Sequence, residues 1–215
     1  MGKLIDKKDR FYIAGHNGMA GSAICRALVK NNYKNIISVR RDDLDLCNYE
    51  SVSKWFNNNK PEVVVIAAAK VGGIIANNSY PTEFLLNNMK IQNNIIEAAW
   101  KNNVKRLLFL GSSCIFPKYC KQPMVEEDLL TGPLEQTNQW YALAKITGIK
   151  LCDALRKQYN FDAISLMATN LYGPGDNYHP ENSHVIPALI NRFHQAKIDN
   201  KPTVNICGSG NPKRE

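Results

Sequence analysis

The tyrosine and lysine of Tyr141-Ala-Leu-Ala-Lys145 have the spacing of two side chains that can cooperate in proton transfer. Residues at i and i+4 share one face of a helix, so the lysine ammonium would lie one turn from the phenol. A neighbouring cation stabilises the phenolate and lowers the pKa of the phenol, which suits proton exchange with a carbonyl oxygen. The pair predicts a catalytic Tyr141 tuned by Lys145, although the same spacing also occurs on ordinary solvated helices.

A serine and a cysteine follow the apolar run Leu107–Leu110, in the segment Gly111-Ser-Ser-Cys114. If that run is a buried parallel strand, these side chains stand at its carboxyl end, where ligands bind in such sheets. The hydroxyl of Ser112 could then hydrogen-bond the carbonyl oxygen that the tyrosine protonates. Cys114 taken alone is more often a packing residue than a reactive thiol.

A glycine-rich turn joins the first apolar run to the first helical segment, with Gly15, Gly18 and Gly21 at i, i+3 and i+6. In a dinucleotide site, the first glycine permits a tight turn, the second lets backbone approach a pyrophosphate and the third allows close helix packing. The helix N-terminus offers amide donors to the phosphates. The alternative is a plain strand–helix connection. The cofactor residues predicted here are Gly15, His16, Asn17, Gly18, Met19, Ala20 and Gly21.

The end of the second apolar run selects the cofactor. Sites for NAD place an acidic side chain there, whereas NADP sites use an arginine for the 2′-phosphate. Arg41 can form a bidentate, charge-assisted pair with phosphate, so the sequence favours NADP(H). In the competing interpretation, Arg41 forms an ion pair with Asp42. Asp45 and Leu46, slightly downstream, are predicted to flank the adenine.

The elements that must position these residues alternate along the chain. Strands are predicted at Phe11–Gly15, Ile36–Arg40, Val63–Ala67, Leu107–Gly111 and Ala163–Met167. Helices are predicted at Met19–Asn31, Val52–Asn58, Thr82–Asn102 and Trp140–Tyr159. Strands that alternate with helices indicate βαβ units and a parallel sheet. We therefore predict an α/β fold, a Rossmann-type doubly wound parallel sheet.

Composition limits the remaining classes. The 215 residues are 44% hydrophobic and 21% charged, which excludes a wholly disordered chain. No apolar run approaches the roughly 18 residues of a membrane helix, so no membrane association is predicted. The net charge of +8 fits a solvated surface or anionic ligands, and without basic runs it does not predict nucleic-acid binding. The six cysteines lack zinc spacing and no export signal is evident, so we expect reduced thiols in the cytoplasm.

Five longer motifs resemble those of a known enzyme family. The chain resembles the GDP-L-fucose synthases, a family of extended short-chain dehydrogenase/reductases that act on nucleotide-sugars. The matching segments are Ala14–Ser22, Ala67–Ile74, Leu110–Lys118, Asn170–Pro174 and Asn182–Pro187. The resemblance implies NADPH-dependent conversion of GDP-4-keto-6-deoxy-D-mannose to GDP-L-fucose, by epimerisation at C3 and C5 and reduction of the C4 ketone. It also implies a homodimer formed through helices near 82–102 and 140–159.

The resemblance assigns roles to particular residues. Cys114 would be the base and His184 the acid of the epimerisation. Tyr141 would protonate the C4 oxygen, Lys145 would hold the nicotinamide ribose and Ser112 would bind the C4 oxygen. The implied cofactor residues beyond the glycine turn and the adenine segment are Leu110, Gly111, Ser112, Lys145, Asn170, Leu171 and His184. The implied substrate-binding residues are Lys70, Arg192, Cys207 and Arg214.

The resemblance also implies two domains, an NADP-binding domain at 9–172 and part of a nucleotide-sugar lobe at 173–215. Two positions depart from the family pattern, because relatives can carry arginine at Asn17 and tryptophan at Cys207. Gly208–Glu215 resembles the middle of a family motif, and the part of the family sequence that completes the nucleotide-sugar lobe is absent from this chain, so a natural truncation and a fragment both stay open.

Three alternatives stay open. A 4,6-dehydratase would carry an Asp-Glu pair beside the serine, where this sequence has Ser113-Cys114. A 4-epimerase needs no cysteine–histidine pair and usually holds NAD. The third alternative is an NADP-binding module that lacks turnover and acts through a partner.

Overall fold

The computed structural model describes residues 5–179 and 182–206, and within these ranges a five-stranded parallel sheet forms the centre of the fold. Its strands run in the order β2-β1-β3-β4-β5. The strands are β1 Phe11–Ala14, β2 Ile36–Ile37, β3 Val63–Ile66, β4 Arg106–Leu110 and β5 Ala163–Leu166. The helices are α1 Met19–Lys30, α2 Tyr49–Asn59, α3 Ile74–Ser79, α4 Pro81–Lys101, α5 Gln139–Tyr159 and α6 Val185–Ile198.

Helices cover both faces of the sheet, which confirms the doubly wound fold. Along β1, Tyr12 and Ala14 join the larger core, whereas Phe11 and Ile13 join a smaller one on the opposite face. The larger core receives apolar side chains from α2, α4 and α5, and the smaller core receives them from α1. All four residues of β3 are buried, as expected for a strand that is covered on both sides.

Local signals set several helix ends. Asn48 precedes α2, and its side chain accepts a hydrogen bond from the Ser51 amide at 2.9 Å, which satisfies a free donor of the first turn. Pro81 begins α4, where its missing N–H costs nothing. Asn160 ends α5 in the left-handed conformation that asparagine tolerates well.

Two parts of the prediction differ from the structure. The second strand ends at Ile37 rather than Arg40, because Arg40 already begins a turn whose carbonyl accepts the Asp43 and Leu44 amides at 3.1 Å. Helices α3 and α6, which follow β3 and β5 along the chain, were not predicted. Within the described ranges, no helix is long and apolar enough to span a membrane.

The topology gathers the functional segments at one edge. All five strands are parallel, so the loops that follow β1, β3, β4 and β5 leave from the same edge of the sheet. Strands β1 and β3 are neighbours, and the connections from them pass to different faces, since α1 packs on one face and α4 on the other. A crevice at such a switch point is the usual ligand site of open α/β sheets.

Candidate active site

The predicted tyrosine–lysine pair lies on α5 and faces the end of β4. Lys145 is buried, and its Nζ donates a hydrogen bond of 2.7 Å to the carbonyl oxygen of Leu110. The same ammonium lies 4.7 Å from the ring centroid of Phe109 and 5.6 Å from that of Tyr141. The Tyr141 ring in turn makes an edge contact with Phe84 of α4, with centroids 6.5 Å apart. The site is therefore a packed arrangement of aromatic rings around a buried cation.

The prediction that Lys145 lowers the Tyr141 pKa is wrong for this arrangement. Burial raises the pKa of Tyr141 well above its usual value, with a smaller contribution from Cys114. The reason is geometric, because the ammonium lies over the face of the ring and is hydrogen-bonded to the strand. Burial also lowers the pKa of Lys145 to about 8, opposed in part by Cys114. Both groups are thus biased towards their neutral forms.

Ser112 and Cys114 lie together at the start of a short 3₁₀ turn, Ser113–Ile115, which follows β4. The Ser112 hydroxyl accepts a hydrogen bond of 3.4 Å from the Cys114 amide. Burial raises the pKa of the Cys114 thiol, while the Ser112 hydroxyl and the Lys145 charge act in the opposite direction. The structure therefore brings Ser112, Cys114, Tyr141 and Lys145 to one place, as the sequence predicted.

Helix α4 carries two buried amide side chains that sequence reasoning missed. Asn88 accepts from the Lys70 amide at 2.7 Å and donates to the Lys70 carbonyl at 3.0 Å, which fixes the loop after β3. One turn later, Gln92 donates to the carbonyl of Ala144 at 2.5 Å, on the helical turn that carries Lys145. The available signal was the occurrence of polar residues at i and i+4 within an otherwise apolar helical stripe.

Gly148 allows this packing around the lysine. A Cβ at Gly148 would lie 2.7 Å from the Phe109 ring and 2.9 Å from the Gln92 side chain. The Phe109 ring contacts the Lys145 ammonium, and the Gln92 side chain bonds to the carbonyl of Ala144 beside it. A larger residue would separate the helix from the strand, so the position of the ammonium depends on a glycine one turn away.

The glycine turn has the geometry of a phosphate cradle. Gly15 has φ +87°, a conformation that favours glycine, and a Cβ there would lie 2.7 Å from the Ala68 nitrogen. A Cβ at Gly21 would overlap the Gly15 carbonyl group, 2.7 Å from its carbon, so only glycine fits where α1 passes the turn. Gly18 precedes α1 without a side-chain cap, which leaves the first amides of this helix available to an anion. His16, Met19 and Ala20 are half-buried in the same turn, and Asn17 is exposed.

The segment after β2 presents Arg41 to solvent. Its neighbour Arg40 forms the local ion pair, with Nε 3.0 Å from Oδ2 of Asp43. Arg41 makes no ion pair in the part of the chain that the structure describes, so the alternative pairing with Asp42 is wrong there.

The segment that was predicted to flank the adenine is held by two hydrogen bonds of ordinary length. Asp45 accepts from the Cys47 amide at 2.9 Å, and the carbonyl of Leu46 accepts from Asn94 of α4 at 2.9 Å. The loop that was predicted to flank the adenine is therefore attached to the same helix that carries Asn88 and Gln92.

The remaining predicted residues have different placements. Lys70 forms an ion pair with Glu83 and lies between the rings of Tyr80 and Phe84, at 5.5 and 5.7 Å from their centroids. His184 is exposed at the start of α6, and Arg192 is exposed two turns further along that helix. Within residues 5–179 and 182–206, neither His184 nor Arg192 hydrogen-bonds to the side chains that lie together at the end of β4, which are Ser112, Cys114, Tyr141 and Lys145.

The other residues predicted to bind cofactor or substrate lie in three places. Leu110 and Gly111 adjoin the Lys145 contact, and the Gly111 amide donates to the Leu166 carbonyl at 2.8 Å. Asn170 and Leu171 are exposed in the loop that follows β5. Cys207 and Arg214 lie outside the described residues.

Comparison with known proteins gives a family for the chain. The family model for the NAD dependent epimerase/dehydratase family matches residues 11–215. The chain is 55% identical over 208 residues to the GDP-L-fucose synthase of Escherichia coli (strain K12), covering 97% of this chain and 65% of that protein. It is 54% identical over 213 residues to the probable GDP-L-fucose synthase 1 of Oryza sativa subsp. japonica, covering 99% of this chain and 65% of that protein. The chain thus spans 65% of the length of both relatives.

A solved structure adds the three-dimensional comparison. The GDP-L-fucose synthetase of Naegleria fowleri bound to NADP is similar with a TM-score of 0.86 and 29% sequence identity. The match covers 98% of this chain and 69% of that chain. Because the family model extends over nearly the whole sequence, this chain belongs to the NAD dependent epimerase/dehydratase family.

Proposed function

We propose that the complete protein carrying this chain converts GDP-4-keto-6-deoxy-D-mannose to GDP-L-fucose with NADPH. The observation that carries the proposal is the convergence of Ser112 and Cys114 with Tyr141 and Lys145 at the end of β4. A cysteine at this position distinguishes the site from one that needs only a tyrosine and a lysine. The identity of 52–55% to proteins named GDP-L-fucose synthase supports the same substrate.

The residues present fit a bound NADP(H). The amides at the start of α1 would hold the pyrophosphate, because Gly18 leaves them uncapped and Gly15 and Gly21 keep the turn tight. Arg41 would bind the 2′-phosphate, since its exposed guanidinium has no competing ion pair among the described residues. When bound, the dihydronicotinamide supplies the hydride for C4.

Epimerisation needs a base and an acid on opposite faces of the sugar. The C4 ketone acidifies the hydrogens at C3 and C5, and Cys114 as thiolate would take the proton from each carbon in turn. His184 would return a proton to the opposite face, which inverts the centre and restores the ketone. Before the second inversion, Cys114 would release its proton to solvent and His184 would regain one from solvent. Each such transfer is typically worth ~10²–10⁴ in rate.

Reduction of the C4 ketone would use Tyr141 and Lys145 of α5. Ser112 would hold the C4 oxygen by a hydrogen bond, and Tyr141 would give it a proton as C4 becomes tetrahedral. The high pKa of Tyr141 keeps the phenol protonated and therefore able to donate. Lys145 would bind the nicotinamide ribose through the two ammonium protons that do not bond to Leu110.

The lobe that binds the nucleotide-sugar is part of the same proposal. We infer a boundary near residue 172, with 9–172 holding the cofactor and 173–215 contributing to the substrate. Lys70 and Arg192, with Cys207 and Arg214, would meet the GDP-sugar, for which arginine forks suit the diphosphate. Asn170 and Leu171 would lie near the nicotinamide.

We further infer a homodimer formed by α4 and α5. Apolar side chains on these helices are exposed, namely Leu86 at 46%, Trp140 at 37% and Leu143 at 37%. A cytoplasmic location is proposed because the described cysteines are free thiols, which suits a reducing compartment.

The test uses the complete protein, GDP-4-keto-6-deoxy-D-mannose and NADPH. Sugar-dependent oxidation of NADPH, with GDP-L-fucose as the product, is expected. Tyr141→Phe should remove reduction while C3 and C5 epimerisation continues, and Cys114→Ser should remove epimerisation. Tight NADPH binding by a well-folded protein that never oxidises it with this sugar would overturn the proposal in favour of a binding module.

A further inference from the structure

The loop after β3 touches the segment that carries His184. The Gly73 amide donates a hydrogen bond of 3.3 Å to the carbonyl of Asn182. A Cβ at Gly73 would lie 2.7 Å from the carbonyl oxygen of Ser183. The backbone of Gly73 has φ −67° and ψ −178°, which alanine adopts readily. The requirement for glycine here therefore comes from the neighbouring carbonyl and not from the backbone conformation.

A buried asparagine fixes this glycine from the other side. Asn77 of α3 is 6% exposed, and its Nδ2 donates to the carbonyls of Gly72 at 2.8 Å and Gly73 at 3.1 Å. The two bonds hold the glycine pair against the first turn of α3. Asn78, the next residue on the same helix, is exposed, and its side chain makes no hydrogen bond in the described ranges.

These contacts form a continuous path to one functional side chain. Asn77 holds Gly73, Gly73 contacts Asn182 and Ser183, and the next residue is His184 at the start of α6. The reduction residues are held by different contacts, since Lys145 bonds to Leu110 and its helical turn bonds to Gln92. Neither set of hydrogen bonds includes a residue of the other.

We propose that Gly73 and Asn77 are positioning residues for His184, so that they serve epimerisation and leave the tyrosine–lysine half of the site unchanged. The inference rests on the proposed function, in which His184 is the acid that protonates the sugar. It predicts that changing either residue lowers the rate of inversion at C3 and C5 far more than it weakens the binding of cofactor.

The experiment compares Asn77→Ala with Asn78→Ala in the complete protein with NADP⁺ bound. Inverted product that has taken up deuterium at C3 and C5 is followed by NMR in D₂O without NADPH. Asn77→Ala should slow inversion ~10-fold or more, because misplacing a catalytic group is costly. Asn78→Ala should stay within about twofold of the unmodified protein, the scatter of independent sites. Gly73→Ala should slow inversion at least as much as Asn77→Ala.

Three further readouts separate positioning from general destabilisation. The Kd for NADP⁺ should change less in Asn77→Ala than in Arg41→Ala, because Arg41 and the amides of α1 would hold the phosphates of the cofactor. Amide hydrogen exchange should rise in the peptide that spans 182–188. In a His184→Ala background, Asn77→Ala should have no further effect on inversion, because the residue that it positions is gone.

Each outcome has a defined meaning. Inversion rates in Asn77→Ala equal to those of Asn78→Ala, or a full additional loss in the His184→Ala background, would overturn the positioning role. If Gly73→Ala does not fold, the Asn77 comparison decides alone. An unmodified protein that neither inverts the sugar nor oxidises NADPH with it would instead defeat the proposed function, which keeps the two failures distinct.

Discussion

The Nζ of Lys145 donates a hydrogen bond of 2.7 Å to the carbonyl oxygen of Leu110, the last residue of β4. This bond ties the middle of α5 to the strand end from which Gly111 and Ser112 continue. The rings of Phe109 and Tyr141 present their faces to the same ammonium, which offsets part of the cost of burying it. The charge remains expensive, because burial lowers the pKa of Lys145 to about 8.

The first prediction concerns the stability of Lys145→Met. At pH 7 the folded protein holds a buried cation, so we expect the methionine variant to be as stable or up to ~3 kcal/mol more stable, although the proposed mechanism predicts a loss of turnover. Between pH 8 and the ordinary lysine pKa of 10.5, the unfolded chain binds more protons than the folded one. The free energy of unfolding of the unmodified protein therefore rises with pH, and the advantage of the variant should shrink.

Urea unfolding at pH 7 and pH 10 measures this difference. Lys150→Met is the matched control, because Lys150 lies on the same helix with an exposed ion pair to Asp153 at 3.5 Å. Such a pair contributes ~0–1 kcal/mol, so the control should show little change with pH. A Lys145→Met protein that is less stable at pH 7 by an amount independent of pH would contradict the prediction.

The second prediction separates two glycines of the same turn. Gly21→Ala should destabilise the fold by about 3 kcal/mol or more, because the new Cβ would overlap backbone of Gly15 that cannot move aside. Gly18→Ala should cost about 1 kcal/mol or less, since Gly18 has φ −74° and its nearest contact would be 3.4 Å. Thermal unfolding of the two variants without cofactor provides the comparison.

The affinity for NADPH should reveal the opposite weakness, because Gly18→Ala is the milder change for the fold but affects the cofactor site directly. Gly18→Ala keeps the fold but places a methyl group where the pyrophosphate approaches, so its Kd for NADPH should increase. Equal unfolding midpoints for the two variants would show that α1 does not pack against Gly15 as described.

The third prediction tests cofactor choice through two adjacent arginines. Arg41→Ala should weaken NADPH binding ~10–100-fold, the value of a charge-assisted contact, and leave NADH binding unchanged. Arg40→Ala is the control, because Arg40 is already paired with Asp43 at 3.0 Å. Fluorescence titration with both dinucleotides measures the effect. If the Arg40 variant loses the preference for NADPH and the Arg41 variant keeps it, the assignment of the 2′-phosphate contact is reversed.

Periodicity and composition were sufficient to predict the fold. The β-branched run of β3 and the apolar spacing of α4 indicated a buried parallel sheet, and the strand and helix bounds agree within a few residues. Turn chemistry identified Gly15 and Gly21, because a tight turn and close helix packing leave few other residues possible. These features are local, so sequence spacing records them directly.

The features that sequence could not supply depend on contacts between distant segments. Asn88 and Gln92 appear in the sequence as ordinary polar residues, and only packing of α4 against the β3 loop and α5 gives them partners. The sign of the Tyr141 pKa shift also depends on tertiary structure. The spacing correctly placed Lys145 one helical turn from Tyr141. The Lys145 ammonium, however, is hydrogen-bonded to the Leu110 carbonyl of the strand, and burial is the main influence on the pKa of the Tyr141 phenol.

The last prediction follows from the buried thiol. Burial raises the pKa of Cys114, so at neutral pH the group is mainly a thiol, and only its small thiolate fraction can act as the base. In a His184→Ala protein, where no titrating acid opposes the base, the residual rate of C3 and C5 inversion should therefore rise about tenfold per pH unit from pH 6 towards 9, until another step limits it. Cys114→Ser should lower the rate by ~10²–10⁴ at pH 9, where the thiolate fraction is largest.

Inversion measured by NMR with NADP⁺ bound, at constant ionic strength across this pH range, checks the profile. Cys120→Ser is the matched control, because Cys120 is a half-buried free thiol outside the site and its loss should leave both rate and profile unchanged. A rate that is flat between pH 6 and 9 in the His184→Ala protein, when further change of Cys114 to serine removes it, would mean that Cys114 is already a thiolate when substrate is bound. The raised pKa would then describe only the ligand-free site, and the Lys145 ammonium nearby would be the group that stabilises the anion.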